Sequence, residues 1–246
     1  MFKKTLLTLS LAVSCSSLSF AKDVTIPTAR GDVTFTQTPT KLAVFEAAAI
    51  DTLAHLGVPV AGSPDVARTL PYLKPATEKA VNIGTVFEPN YEALNSLKPD
   101  LIIVGSRAAK KVDELKEIAT TIDVTTPKEV NTLQGGLNNI ENYGKLFNKE
   151  AEAAKLKAEL ETLIAETKAA VKGKGNGLIV LVNGGKMSAF GPVGRLGWVH
   201  SALNIPEAKF EVNTKGANHG TPISFEYLQK VNTDWLFVLD RTAAIG

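Results

Sequence analysis

Short apolar runs alternate with helical segments along most of this 246-residue chain. The first strand and helix lie in KLAVFEAAAIDTLAHLG, where Gly57 is expected to end the helix. Further strands are indicated by VPVAG, DLIIVGS and TTIDVTT, with helices in EPNYEALNSL, which Pro89 is expected to open, and AAKKVDELKEI. Such alternation predicts an α/β fold in which helices cover both faces of a parallel sheet. An alternating VTIPTARGDVTFT stretch predicts a β-hairpin ahead of it.

After residue 148 the alternation stops, and one long helix is expected over residues 149–173. Its apolar residues recur at i, i+4, i+7, i+8 and i+15, on an otherwise charged helix: Leu156, Leu160, Leu163, Ile164 and Val171. The stripe lasts about three heptads without a strict 3.5-residue repeat. A helix packed across two lobes, residues 22–148 and 174–246, is therefore favoured over a coiled-coil arm.

The second lobe has two clear strands, LIVLVNGG and DWLFVLD, and both are expected to be buried. Helices are indicated by GRLGWVHSALNI and SFEYLQKV. Two strands rarely form an independently stable sheet. We therefore expect the second lobe to be truncated.

Residues 1–21 have the pattern of a signal peptide, with basic Lys3 and Lys4, an apolar stretch and a small-residue cleavage site at Ala21. The apolar stretch is too short to span a bilayer, which takes roughly 20 residues. We expect export to the periplasm and a mature chain that begins at Lys22. A lipid anchor at Cys15, the single cysteine, is the less favoured alternative.

Charge and cysteine content exclude several classes of partner. Cleavage after Ala21 would remove two lysines and no acidic residue, leaving 25 basic and 25 acidic residues. A net charge near zero argues against nucleic acid or a membrane surface as a partner, because both favour a basic excess. A mature chain without cysteine has no disulfide and no thiolate metal site.

Enzyme motifs are weak. GGKMS has Met187 where a phosphate-binding loop needs Ser or Thr, and GKGNG follows a helix rather than a strand. The three histidines are not at metal-ligand spacing. We expect His55 and His200 to be surface or packing residues. For His219, in the Gly-flanked loop KGANHGTP, a ligand contact and an ordinary loop position both stay open.

Three arginines each follow the carboxyl end of an expected strand: Arg107, Arg195 and Arg241. Open α/β sheets bind ligands at this edge. A guanidinium group is permanently charged and presents a planar fork of donors, which suits a large anion with many oxygens. The sequence therefore predicts a local positive cleft between the lobes of a neutral protein.

Two lobes joined by one helix, with EPNYEALNSLKPDLIIVGSR, NGGKMSAFGPVGRLGWVH, ANHGTPISFEYL and DWLFVLDRTAAIG, resemble a periplasmic ferric-siderophore-binding protein of an ABC importer. The similarity is strongest to the catecholate, enterobactin-type branch. It implies two Rossmann-like lobes of a class III periplasmic binding protein, joined by one backbone helix. Members of the family continue beyond the position of Arg241 and add a tyrosine that partners the histidine on iron.

The resemblance implies a non-enzymatic receptor, monomeric and without an intrinsic cofactor, that delivers a ferric siderophore to a membrane permease. Arg107, Arg195 and Arg241 would surround the anionic complex, and His219 could ligate its iron directly. Two alternatives stay open: a receptor for haem, cobalamin or another chelate, and a degenerate chain that no longer binds.

Overall fold

A computed structural model describes residues 23–127, 129–192, 196–209 and 220–245. The strands are β1 (Val24–Thr28), β2 (Gly31–Phe35), β3 (Leu42–Val44), β4 (Gly62–Ser63), β5 (Val81–Asn82), β6 (Leu101–Val104), β7 (Thr120–Asp123), β8 (Gly177–Asn183), β9 (Lys186–Phe190), β10 (Thr221–Ile223) and β11 (Trp235–Asp240). The helices are α1 (Ala47–His55), α2 (Asp65–Thr69), α3 (Lys74–Thr77), α4 (Tyr91–Leu97), α5 (Val112–Leu115), α6 (Thr132–Leu146), α7 (Glu150–Val171), α8 (Trp198–Leu203), α9 (Phe225–Val231) and α10 (Arg241–Ile245), with a 3-10 turn at Ala108–Lys111.

The predicted N-terminal hairpin is confirmed: β1 and β2 pair antiparallel, with Thr28 opposite Gly31. Gly31 has φ +101°, a conformation that side chains disfavour, and this allows the chain to reverse there. The turn lies against the first sheet, because the Ala29 N–H donates to the Asp123 carbonyl at 2.8 Å. The hairpin therefore reaches the carboxyl end of β7.

The first sheet has five parallel strands in the order β5-β4-β3-β6-β7, as the alternation predicted. Its central strands β3 and β6 are fully buried, because helices cover both faces. Leu42 and Leu101 belong to the core shared with α1 and α6, while Ile102 belongs to the core shared with α4 and α5. The Asn90 side chain, rather than Pro89, caps α4 by accepting from the Ala93 N–H at 2.9 Å.

The predicted long helix is α7, whose 22 residues extend about 33 Å at 1.5 Å per residue. It packs against α6 of the first lobe and α8 of the second, and the predicted two-lobe α/β fold with a connecting helix is confirmed. The apolar stripe is only partly buried, since Leu156 and Leu160 pack on the core while Leu163 is 57% exposed. Within the described residues, no helix combines the length and apolar character needed to cross a membrane.

The second sheet has four described strands in the order β10-β9-β8-β11, so the expectation of only two strands is wrong. Strands β8 and β9 form a tight antiparallel hairpin in which Asn183 pairs with Lys186. Gly184 and Gly185 both have positive φ, 56° and 76°, as a two-residue turn of type I′ requires. The GGK sequence is therefore a hairpin turn, and not part of a phosphate-binding loop.

The expectation that DWLFVLD is a buried strand is also wrong. Strand β11 pairs in parallel with β8, and it lies at the edge of the described sheet. Trp235 is 51% exposed and Val238 is 55% exposed. An apolar run indicates a strand that could be covered on both faces, but it does not say which segments cover it.

Candidate anion-binding site

Arg107 lies on a tight turn immediately after the buried strand β6. Gly105 begins this turn, and a Cβ there would come within 2.7 Å of the Glu46 carboxylate, so a larger residue would force the Glu46 side chain to shift. Ser106 follows in the left-handed conformation, with φ +48°, which is unusual for a residue other than glycine. The exposed Arg107 guanidinium carbon lies 5.8 Å from the centre of the Phe87 ring, a cation–π distance.

Glu46 brings a carboxyl group to the same edge of the sheet, just after β3. Burial raises the pKa of Glu46 above its ordinary value. The Ala48 backbone N–H and the Arg107 charge oppose that rise, and the Asp123 charge adds to it. Tyr143 of α6 is close enough to Glu46 to be affected by its charge. Burial, and to a smaller extent the charge of Glu46, raises the pKa of the Tyr143 phenol, so Tyr143 is neutral at physiological pH.

Asp123, at the end of β7, is buried and forms an ion pair with Arg30. Its Oδ2 lies 3.6 Å from Nε of Arg30, which belongs to the hairpin turn. Arg30 Nη1 also lies 3.4 Å from Asp113, and Nη2 donates to the Ala109 carbonyl at 2.9 Å. These contacts make Arg30 a structural arginine that ties the hairpin to the first lobe.

Arg241 follows β11 directly and is the first residue of α10. Its Nη1 donates to Oδ1 of Asn183, at the end of β8, over 3.0 Å. The next residue, Thr242, accepts the Gly184 N–H at 2.8 Å, and Asp240 accepts the Ala243 N–H at 3.0 Å. The start of α10 is thus attached to the β8–β9 turn, and Arg241 is held by an uncharged partner.

The arginines divide by the charge of their partners. Arg30 has two carboxylates within ion-pair distance. Within the described part of the chain, neither Arg107 nor Arg241 has one. Their positive charges are therefore not neutralised by a contacting acid, as a site for an anionic ligand requires.

Two residues of the predicted site, Arg195 and His219, lie outside the described residues, as does the predicted leader. The other two histidines behave as the sequence predicted. His55 is exposed and its Nδ1 lies 2.9 Å from the Asp51 carbonyl, whereas His200 is buried with Nδ1 3.0 Å from the Ile205 carbonyl. In the described ranges, no cluster of three acidic, histidine or cysteine side chains could hold a metal ion.

An apolar cavity of about 430 Å³ lies elsewhere, between the end of α7 and the start of β11. Trp235 and Phe237 line it together with Val171 and Ile205. Because Trp235 begins β11 and Arg241 follows its end, this cavity lies at the opposite end of the strand from Arg241. It is not part of the candidate anion site.

The sequence reasoning missed Glu46, Phe87 and Asn183. Glu46 follows the carboxyl end of β3 and Asn183 is the last residue of β8, so the rule that selected the arginines also applied to them. It was applied only to cations. Phe87 carries no such signal, because its place beside Arg107 depends on the fold of residues 84–90.

The chain belongs to the periplasmic binding protein family, whose model matches residues 42–245. The family predicted from the sequence is thereby confirmed. Its members named below are binding proteins.

The petrobactin-binding protein YclQ of Bacillus subtilis is 38% identical over 215 residues, which cover 85% of this chain and 66% of that sequence. Its crystal structure superposes with a TM-score of 0.83 at 34% identity, covering 92% of this chain and 80% of that one. The periplasmic catecholate-siderophore-binding protein VctP of Vibrio cholerae gives a TM-score of 0.83 at 28% identity, with 91% and 80% covered. The ferric-anguibactin-binding protein FatB of Vibrio anguillarum is 28% identical over 272 residues, covering all of this chain and 82% of that one.

This chain spans about two thirds of the YclQ sequence.

Proposed function

We propose that this chain is the substrate-binding receptor of an ABC importer for iron, and that it captures an anionic ferric siderophore of the catecholate type. Arg107 and Arg241 would bind the complex between the lobes. Arg195 and His219 are further candidate contacts. The function is binding rather than catalysis, and the partner that receives the ligand is a membrane permease.

One observation carries this proposal: two arginines follow the carboxyl ends of strands in different sheets, and both lack a contacting carboxylate among the described residues. A ferric tricatecholate is a trianion rich in oxygen atoms, which charge-assisted hydrogen bonds from guanidinium groups suit. The names of the relatives support the same class, since petrobactin, anguibactin and catecholate siderophores are their stated ligands. We further propose that the protein is exported to the periplasm and acts as a monomer.

The test is a titration with the ferric complex of a hexadentate tricatecholate, followed by the fluorescence of Trp198 and Trp235. Arg107→Ala and Arg241→Ala should each weaken binding by about 1.5–3 kcal/mol, the range for hydrogen bonds to charged groups. That loss corresponds to roughly 10- to 150-fold in Kd.

Lys79→Ala is the matched control, because it also removes an exposed cation but precedes β5, at the amino end of the first sheet. Its affinity should not change. An uncharged ferric trihydroxamate should bind far more weakly than the trianion. Equal affinity for both complexes, or unchanged affinity in both arginine variants, would refute an arginine-based anion site.

A further inference from the structure

The turn that presents Arg107 is fixed by a hydrogen bond from the neighbouring strand. Ser106 has the left-handed backbone conformation, φ +48°, which costs free energy for a residue with a side chain. Its N–H donates to Oγ1 of Thr125 at 2.8 Å. Thr125 lies two residues after the end of β7, the strand that pairs with β6. This contact therefore connects strained Ser106, which follows β6, to the segment that follows β7.

The Thr125 hydroxyl is itself fixed. It donates its only proton to Oδ1 of Asp123 at 2.5 Å, and the Thr125 N–H donates to the same oxygen at 3.0 Å. With its proton used there, the hydroxyl can only accept from Ser106. Asp123 is 5% exposed, and its other carboxylate oxygen faces Arg30. The network thus leads from the hairpin turn through Asp123 and Thr125 to the residue before Arg107.

We propose that Thr125 is a positioning residue for anion binding: its hydroxyl holds Ser106 in the left-handed conformation and so directs the Arg107 guanidinium toward the ligand. The inference rests on the proposed function, because it assigns Thr125 a role only through Arg107. An arginine on a loose turn would have to be ordered when the ligand binds, and that ordering would reduce affinity. The Phe87 ring restrains the guanidinium head, while Thr125 restrains the backbone that carries it.

The experiment compares Thr125→Val, which keeps the shape but removes the hydroxyl, with Thr125→Ser, which keeps it. The probe is the ferric complex of a hexadentate tricatecholate. Val should weaken binding about three- to tenfold, as expected for the loss of one or two hydrogen bonds, and Ser should restore affinity to within about twofold. Thr121→Val is the control, because Thr121 is a buried threonine of β7 whose hydroxyl donates to the Ala119 carbonyl at 3.0 Å. Its affinity should equal that of the unsubstituted chain.

A double-mutant cycle separates positioning from direct contact or general loss of stability. If Thr125 acts through Arg107, Thr125→Val should cause no further loss of affinity in the Arg107→Ala background. A further loss equal to that in the unsubstituted chain would overturn the inference. Unchanged affinity of the Thr125→Val variant, when the unsubstituted chain binds the complex, would also overturn the inference. The proposed function would then still stand. Failure of the unsubstituted chain to bind would instead refute the proposed function, and this inference with it.

Ser106→Gly provides a second test that does not depend on how well Thr125→Val folds. Glycine adopts positive φ without strain, so this variant should be at least as stable as the unsubstituted chain. It also makes the turn more flexible, so affinity should fall about three- to tenfold although stability does not. A purely structural role of the turn would not give lower affinity together with equal or greater stability. Full affinity in Ser106→Gly would overturn the inference.

Discussion

Replacing Tyr143 by phenylalanine should stabilise this protein. Tyr143 lies in α6 beneath the candidate site, is 1% exposed, and packs with its ring centre 6.5 Å from that of Phe147. Its hydroxyl is buried without a hydrogen-bond partner among the described residues. A buried polar atom that loses its water without gaining a partner costs about 1–3 kcal/mol. Phenylalanine keeps the ring contact and removes that cost.

The net gain should be about 1 kcal/mol, since removing the oxygen also leaves a small void that offsets part of the benefit. For a chain of this size, 1 kcal/mol corresponds to a rise in Tm of about 2–4 °C. Tyr91→Phe is the matched control: the Tyr91 hydroxyl donates to Glu114, so its removal should be neutral or destabilise by up to about 1 kcal/mol.

The assay is urea-induced unfolding at pH 7, followed by circular dichroism, with the Tm measured in parallel. The two Tyr→Phe changes should shift the midpoint in opposite directions, or only the Tyr143 variant should shift it. An equal m-value would show that the midpoint reports stability. A Tyr143→Phe protein that is less stable by 1 kcal/mol would refute the reasoning, because it would show that the hydroxyl has a partner in solution.

Two further changes test the surroundings of the site. Burial raises the pKa of Glu46, so the folded protein binds the Glu46 proton more tightly than the unfolded chain does. Ionised Glu46 therefore lowers the free energy of unfolding at pH 7, and this destabilisation disappears as the pH falls. Glu46→Gln should therefore be more stable than the unsubstituted chain at pH 7 and equally stable by about pH 4 in urea unfolding. A difference in stability that does not depend on pH would contradict this. Gly135→Ala should destabilise the protein by about 1–3 kcal/mol, because the new Cβ would come within 2.3 Å of Thr126. Gly136→Ala is the control: a Cβ there meets open space, so thermal melts should show stabilisation by about 0.5–1 kcal/mol. Equal effects of the two glycine changes would show that α6 does not pack on Thr126.

Most of the first lobe was predictable because β3, α1, β6 and β7 each have a local signal. The strand predicted from VPVAG lies largely outside β4, and β5 and the short helices α2 and α3 were not predicted. The LIIV run of β6 has the composition of a buried parallel strand, and Gly57, with φ +71°, follows the end of α1 as expected. These signals depend on residues a few positions apart. The carboxyl-end rule then placed Arg107 and Arg241 at strand ends without knowledge of the strand order.

The second lobe was less predictable because its pattern depends on distant partners. Strand β10 has three residues, too few for an alternation to be recognised, and it pairs with β9 across a long stretch of sequence. The exposure of β11 depends on which segments lie beside it, and its WLFVLD sequence contains no information on them. For the same reason the exposed Leu163 could not be separated from the packed Leu160 by helical spacing alone.

A chain with a formal net charge of only +2 can attract a trianion only where its positive charges are not cancelled by nearby acids. The carboxyl edge of the first sheet holds two such acids, Glu46 and Asp123, which would oppose an anion at Arg107. Asp123 is paired with Arg30 of the hairpin, so its charge is largely balanced there. Burial makes ionisation of Glu46 less favourable than that of an exposed carboxyl group, and an anionic ligand at Arg107 would raise the pKa of Glu46 further. The ion pair of Asp123 with Arg30 thus leaves the charge of Arg107 less opposed, as the uncharged partner Asn183 leaves that of Arg241.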